Sequence, residues 1–132
     1  MLVVQQRRNT RVYVVEDSAI LARLLRELIE TAGMTVVGQA DNASQAIADI
    51  AKLRPDVVTI DIALRKGTGF DVLESLAKNY DKPPLRIVLS NFTSDKYQHA
   101  AQKLGAEYFL DKAKQTGELL NALTARRDRP SA

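Results

Sequence analysis

Carboxylates stand directly after short apolar segments at two points in the sequence. Asp61 follows the run Val57 to Ile60, and the pair Glu16-Asp17 follows the run at 12–15. A charged acid at the tip of a buried strand is costly to desolvate unless it lies just past the strand end or takes part in chemistry. A carboxylate can attack phosphorus and become an acyl phosphate. Asp61 is therefore a candidate phosphoryl acceptor.

Two other kinds of polar side chain follow later apolar segments. Ser90 ends the run LRIVLS and is followed by Asn91, whereas Lys112 comes two residues after the run AEYFL. A hydroxyl can donate a hydrogen bond to one phosphoryl oxygen, and an ammonium can pair with another as a mobile point charge. One polar strand end would mean little, but these residue types at four strand ends form a coherent phosphoryl-accepting site.

Three carboxylates at neighbouring strand ends also predict a cation site. If the first and third strands are adjacent, Glu16, Asp17 and Asp61 converge. Two carboxylates about 4 Å apart repel by roughly 4 kcal/mol at an effective dielectric near 20. Such a cluster holds a proton, recruits a cation or extends into solvent. Oxygen ligands with open positions suit Mg²⁺, which often contacts a phosphate as well.

Short apolar runs that alternate with amphipathic helical segments must position these side chains. This alternation is typical of an α/β fold with a parallel sheet covered by helices on both faces. In such open sheets, ligands bind outside the carboxyl ends of the strands. The predicted strands are 12–15, 34–40, 56–60, 85–90 and 106–110, and each is followed by a predicted helix.

The periodicity of apolar residues predicts the buried faces of these helices. The second helix should be capped by Asp41 or Asn42. The apolar stripes are Leu21, Leu24, Leu25 and Leu28 in the first helix, and Tyr97, Ala100, Ala101 and Leu104 in the fourth.

Length and charge bound the organisation of the chain. Its 132 residues fit one domain, with 1–10 expected as a disordered lead, 11–125 as the domain and 126–132 as a short basic tail. The formal net charge of +3 comes from the ends, because setting aside six terminal arginines and one aspartate leaves 13 basic and 15 acidic residues. Nucleic-acid binding would need basic residues along one face, so no direct nucleic-acid partner is expected.

Two absences from the sequence bear on location. No apolar run approaches about 18 residues, so no membrane span is predicted. The chain has no cysteine, which is compatible with the cytoplasm, the location that we expect.

The joint pattern resembles the receiver domain of two-component response regulators over about residues 11 to 123. The motifs that carry the resemblance are the acidic pair in VYVVEDSAILARLL, Asp61 in DVVTIDIAL, Gly69 eight residues later, Ser90 in IVLSNF and Lys112 in GAEYFLDKA. The resemblance implies a doubly wound, flavodoxin-like five-stranded parallel sheet of order 2-1-3-4-5 with five helices.

The resemblance also implies roles for individual residues. Asp61 would accept a phosphoryl group from a histidine kinase or a histidine phosphotransfer protein. Mg²⁺ would be bound by Asp17, Asp61 and the carbonyl of Ala63, with Glu16 reaching the metal through water. Phe109 falls at the place of the family's rotating aromatic residue, although a core role in the fifth strand is an equal alternative. A downstream protein would bind the face made by the fourth helix, fifth strand and fifth helix.

Three positions depart from the family's usual pattern. Arg65 stands where a proline usually follows the phosphorylated acid, and Asn91 stands where a small residue is usual. Ala113 replaces the proline that normally follows the lysine through a cis bond. Because a cis bond without proline costs about 2.5–4 kcal/mol, a trans bond is expected between Lys112 and Ala113.

The sequence favours a stand-alone response regulator that is not itself an enzyme and acts through a partner. A phosphate-hydrolysing enzyme with an aspartate nucleophile is disfavoured, because such enzymes need a second acid where Ala63 stands. Two alternatives stay open, namely a pseudo-receiver scaffold that takes no phosphate and a receiver fragment of a longer regulator.

Overall fold

The computed structural model describes residues 9–112, 118–119 and 121–123. Most of the predicted lead at 1–10 and all of the tail at 126–132 lie outside the described residues. Residues 118–119 and 121–123 are helical. The preceding elements are β1 (Arg11–Val15), α1 (Ala19–Thr31), β2 (Thr35–Ala40), α2 (Ala43–Leu53), β3 (Val57–Ile60), α3 (Gly69–Asn79), β4 (Leu85–Ser90), α4 (Asp95–Lys103) and β5 (Tyr108–Asp111).

The five strands form one parallel sheet in the order β2-β1-β3-β4-β5. This order confirms the predicted doubly wound topology. The chain runs from β1 outward to β2 and then returns to place β3 on the other side of β1. The switch in direction therefore lies between β1 and β3, where ligand sites occur in folds of this kind.

Apolar side chains cover both faces of the sheet. Val12 and Val14 of β1 belong to a cluster on one face, and Tyr13 and Val15 belong to a second cluster on the other face. All four residues of β3 are buried, as expected for a central parallel strand. The backbone of β3 therefore holds the residue that follows it in a fixed position.

Two of the predicted buried helix positions are wrong. Leu24 of α1 is 53% exposed and Tyr97 of α4 is 37% exposed. In α1 the sheet contacts a narrow arc that buries Ala22 and Ile29, so Leu24 at the edge of the apolar stripe points outward. In α4 only Ala101 is buried. Periodicity gave the helices correctly but not the width of the buried face.

A side chain caps the amino end of each helix from α1 to α4. Asn42, rather than Asp41, caps α2 by accepting a hydrogen bond from the Gln45 N–H at 2.9 Å. In α3, Thr68 and Asp71 form a capping box. Ser18 and Ser94 cap α1 and α4. None of the helices in the described part of the chain is long and apolar enough to cross a membrane.

Gly69 lets α3 begin directly beside the end of β3. A Cβ atom at this position would lie 2.5 Å from the carbonyl oxygen of Asp61 and 2.9 Å from the Cα of Ile62. The Gly69 N–H also donates to the Ile62 carbonyl at 2.8 Å. A side chain here would push α3 away from Asp61, so the glycine fixes the backbone on which the candidate acceptor stands.

Candidate functional site

The register of β1 and β3 brings Glu16 beside Asp61. Val15 pairs with Ile60, and the Asp61 N–H donates to the Val15 carbonyl at 2.9 Å. Each acid is the next residue after its strand. Both are buried, with 3% of Glu16 and 6% of Asp61 exposed. The predicted convergence of acids from the first and third strands is therefore present for this pair.

Lys112 reaches the same point from the end of β5. Ser90 pairs with Asp111 in the sheet, and the Lys112 N–H donates to the Ser90 carbonyl at 3.1 Å. The Lys112 Nζ atom lies 2.8 Å from Glu16 Oε1 and 2.9 Å from Asp61 Oδ2. One ammonium thus bridges two carboxylates that belong to different strands.

Burial and pairing act in opposite directions on these groups. Burial raises the pKa of Glu16 above its ordinary value, although the hydrogen bond from Lys112 opposes that rise. Burial alone would lower the pKa of Lys112, but hydrogen bonds to Glu16 and Asp61 outweigh it and raise the pKa above its ordinary value. Lys112 is therefore a cation at neutral pH and partly compensates the two acids.

Ser90 is fully buried at the end of β4 and faces the loop that follows. Its Oγ atom accepts a hydrogen bond from the Phe92 N–H at 2.8 Å. A serine hydroxyl that accepts one bond still has its own hydrogen to donate. Asn91 is exposed beside it. The loop after β4 is thus held by the same hydroxyl that was predicted to bind a phosphoryl oxygen.

Asp17 and Ala63 lie at the exposed rim of the site. Asp17 lines a cleft of about 320 Å³ together with Glu16, Asp41 and Asn42. The Ala63 N–H donates to Asp61 Oδ1 at 3.3 Å. Both oxygens of Asp61 therefore have a partner, one in Ala63 and the other in Lys112.

The donor set at this site has the chemistry of a Mg²⁺ site. Carboxylate and carbonyl oxygens are the ligands that this ion prefers, and it keeps several waters. Two buried carboxylates against one ammonium leave excess negative charge for a cation. Within the described ranges, however, no group of three acidic or histidine side chains is arranged to hold a metal ion. Lys112 lies between the two buried acids, so the predicted metal ligands stay a prediction.

The loop after Asp61 is held against the loop after β2. Arg65 Nε lies 3.1 Å from Asp41 Oδ2, and the Arg65 N–H donates to the Asp41 carbonyl at 2.9 Å. Lys66 and Asn42 add a parallel bridge. In the sequence, Arg65 stands out only as a departure from the family's usual proline. Its partner could not be predicted, because the contact depends on how two loops meet.

Phe109 and Ala113 have different outcomes. Phe109 lies in β5, is half-buried and packs against the cluster that contains Val88. Its predicted switch role is not tested by this placement. Ala113 lies outside the described residues, and with it the predicted trans bond to Lys112.

Comparison with known proteins identifies the family. The model of the response regulator receiver domain matches residues 12–124. The chain belongs to the response regulator receiver family. It is 33% identical over 113 residues to the chemotaxis protein CheY of Thermotoga maritima, covering 86% of this chain and 93% of that one. The predicted resemblance and the assignment to two-component signalling are thereby confirmed.

Receiver domains within larger proteins are similar too. Over 113 residues the chain is 39% identical to protein-glutamate methylesterase/protein-glutamine glutaminase 1 of Dechloromonas aromatica, covering 83% of this chain and 31% of that protein. The crystal structure of the response regulator domain of Thermotoga maritima CheB has a TM-score of 0.82 at 27% identity, covering 94% of this chain and all of that one. The match to these methylesterases is thus confined to about a third of their length or less.

An aromatic group next to the site was missed in the sequence. The rings of Phe70 and Tyr97 are stacked with centroids 6.1 Å apart, and the rings of Phe92 and Tyr97 are tilted at 5.7 Å. Tyr97 and Phe92 are five residues apart, but Phe70 belongs to a different helix. In the sequence, Phe92 and Tyr97 stand on either side of Ser94, but this local pair does not indicate that Phe70 joins them.

Proposed function

We propose that this receiver domain accepts a phosphoryl group on Asp61 from a histidine kinase or a histidine phosphotransfer protein. The contact of Lys112 Nζ with both Glu16 and Asp61 supports the proposal most strongly. Three strands contribute these groups, so their meeting depends on the whole sheet. A purely structural ion pair would not require the acceptor-type acid to stand directly after the central strand.

The side chains of the site divide the work of phosphoryl transfer. An oxygen of Asp61 forms a bond to phosphorus while the bond from phosphorus to the donor's leaving group breaks. Lys112 exchanges its bond to Asp61 for a pairing with a phosphoryl oxygen, and Ser90 donates its hydroxyl hydrogen to another. Asp17, Asp61 and the Ala63 carbonyl would hold Mg²⁺, with Glu16 acting through water, and the ion would neutralise phosphoryl charge.

The output follows from the position of Ser90 and Phe109. A phosphoryl group on Asp61 draws the Ser90 hydroxyl inward, and Phe109 is the large side chain beside β4 that can occupy the space left behind. A downstream protein then reads the face formed by α4, β5 and the fifth predicted helix. A phosphoryl group can shift this equilibrium only as far as its interactions differ between the two states.

Mass spectrometry with acetyl phosphate tests the acceptor. The intact protein should gain one phosphoryl group only when Mg²⁺ or Mn²⁺ is present, and Asp61→Asn should abolish the gain. Asp81→Asn, at an exposed position outside the site, is the matched control and should label like the wild type. Equal labelling of the Asp61→Asn variant, or labelling that survives a chelator, contradicts the assignment.

A pseudo-receiver scaffold is the second candidate. It is supported by Ala113, which stands where the family usually has a proline after the lysine. Under this alternative, Asp61 keeps the hydrogen bonds that it accepts from Ala63 and Lys112. In that case no phosphoryl group is gained with any small donor, although the protein stays folded.

Backbone NMR with beryllofluoride, a phosphoryl mimic, tests the output face. Shifts should cluster in α4 and β5 and spare α1. Shifts confined to residues 18–32 and 70–79 would place the output elsewhere. We also propose that the domain is not itself an enzyme, in line with its similarity to CheY, and that it works in the cytoplasm, in line with its cysteine-free sequence.

A further inference from the structure

Three aromatic rings connect the loop after β4 to two helices. Phe92 lies in that loop, Tyr97 in the first turns of α4 and Phe70 at the start of α3. The Tyr97 ring is the central one, with a centroid distance of 5.7 Å to Phe92 and 6.1 Å to Phe70. Both separations fall in the range at which aromatic pairs attract one another beyond simple burial.

Each end of this aromatic group is joined to the candidate acceptor site. The Phe92 N–H donates to Ser90 Oγ at 2.8 Å, so the ring and the hydroxyl belong to one short turn. At the other end, Phe70 follows Gly69, whose backbone is packed against the Asp61 carbonyl. A continuous series of contacts therefore runs from Asp61 through α3 and Tyr97 to Ser90.

We propose that Tyr97 is a positioning residue that, through its ring contacts with Phe92 and Phe70, holds the Ser90 hydroxyl in place beside the acceptor site. This inference rests on the proposed function of Asp61 and Ser90. Phe92 is 48% exposed, so burial alone holds it weakly, and its ring packs against the ring of Tyr97. When that ring is removed, the turn opens more often and Ser90 loses its fixed orientation.

Hydrogen exchange of the Phe92 amide tests this role without any phosphoryl group. Its exchange rate reports how often the bond to Ser90 Oγ opens. Tyr97→Ala should accelerate exchange by a factor of about ten, the size expected when aromatic contacts of this kind are lost. Tyr97→Phe keeps the ring and should exchange like the wild type. Ser90→Ala, which removes the acceptor, gives the upper limit.

Tyr80→Ala is the matched control. Tyr80 follows the other end of α3, and its ring lies under the Arg54 guanidinium at 6.0 Å. It should leave Phe92 exchange unchanged. The proposal is overturned if the Phe92 amide exchanges at the same rate in Tyr97→Ala as in the wild type. It is also overturned if Tyr80→Ala accelerates this exchange as much as Tyr97→Ala does, because that result would indicate general loosening of the fold.

Labelling by acetyl phosphate then separates positioning from structure. Tyr97→Ala should slow the labelling of Asp61 several-fold, and Tyr97→Phe should restore the wild-type rate. In the Ser90→Ala background, Tyr97→Ala should have no additional effect, because the group that it positions is absent. Additive effects of the two substitutions overturn the proposal. If the wild type takes no label, the proposed function fails, whereas the exchange experiment still decides the role of Tyr97.

Discussion

Each end of the parallel strands has one long basic side chain, and the two side chains have different partners. At the amino end, the Arg11 guanidinium donates to the carbonyls of Leu53 at 2.8 Å and Arg54 at 3.0 Å. These carbonyls belong to the last residue of α2 and to its C-cap residue, and they have no partner within the helix. The Arg11 N–H also donates to Asp56 Oδ2 at 2.9 Å. The charge of Arg11 thus completes a helix end.

At the carboxyl end, Lys112 faces Glu16 and Asp61 rather than backbone carbonyls. Its single positive charge faces two buried carboxylates, and the exposed Asp17 adds a further carboxylate at the rim of the site. The carbonyls at the end of α2 are satisfied by one guanidinium, whereas the surplus of carboxylates at the other end leaves negative charge that can bind a cation or react. The comparison indicates that function lies where the buried charge is incompletely neutralised, and the following substitutions test that difference.

Lys112→Met should have the largest effect. Removing one partner leaves two buried carboxylates uncompensated, and breaking a buried ion pair in this way costs about 3 kcal/mol or more. The free energy of unfolding in urea, measured without Mg²⁺, should fall by that amount. Lys82→Met, at an exposed loop position, is the control and should be neutral. A loss as small as that of the control would mean that the acids at this end are not held by Lys112.

Glu16→Gln should have a smaller effect of opposite sign, and one that depends on pH. Burial raises the folded-state pKa of Glu16 above its ordinary value. The wild-type free energy of unfolding therefore falls as the pH rises from the unfolded-state pKa through the folded-state pKa, because the folded protein disfavours the ionised acid. The stability of the variant relative to the wild type should therefore increase from pH 4 to pH 7. Urea unfolding across this range measures it, and exposed Glu74→Gln should give a flat difference. A decrease would reverse the sign that burial requires.

Arg11→Met tests the amino end. It removes two hydrogen bonds to backbone carbonyls at a half-buried position, which should cost about 1–2 kcal/mol. Phosphoryl labelling of Asp61 should be unchanged, because Arg11 makes its hydrogen bonds to Leu53, Arg54 and Asp56, at the opposite end of the strands from Asp61. Unfolding in urea and intact-mass labelling check the two parts. Loss of labelling in a folded Arg11→Met protein would break the comparison.

Arg65→Ala should have the smallest effect. Arg65 and Asp41 lie at the carboxyl end, but their side chains are 63% and 43% exposed, and solvent screens such pairs. Two backbone hydrogen bonds between these loops remain in the variant, from Arg65 to Asp41 and from Ala43 to Lys66. The urea midpoint should match that of the wild type within experimental error. A clear decrease in the urea midpoint would contradict this prediction. It would show that an ion pair at the carboxyl end of the strands stabilises the fold even when it is exposed.

The sequence by itself determined the elements and the chemical types at their ends. The run at 85–90 coincides with β4, and the predicted strands overlap the observed ones in every case. The largest discrepancy is β5, which begins at Tyr108 rather than at 106 and ends at Asp111. Short β-branched runs and helix stop signals are local properties, so they can be read without knowledge of the partners.

Only the tertiary structure decided which side chains meet. Lys112 is 96 residues from Glu16 and 51 from Asp61, and their contact requires both the strand order and the register of each pair. A shift by one residue would turn every side chain of a strand to the other face. The width of the buried helix faces, which left Leu24 and Tyr97 exposed, depends likewise on neighbouring elements. Residue type and spacing are written along the chain, whereas contact, burial and charge balance arise when separate strands are brought side by side.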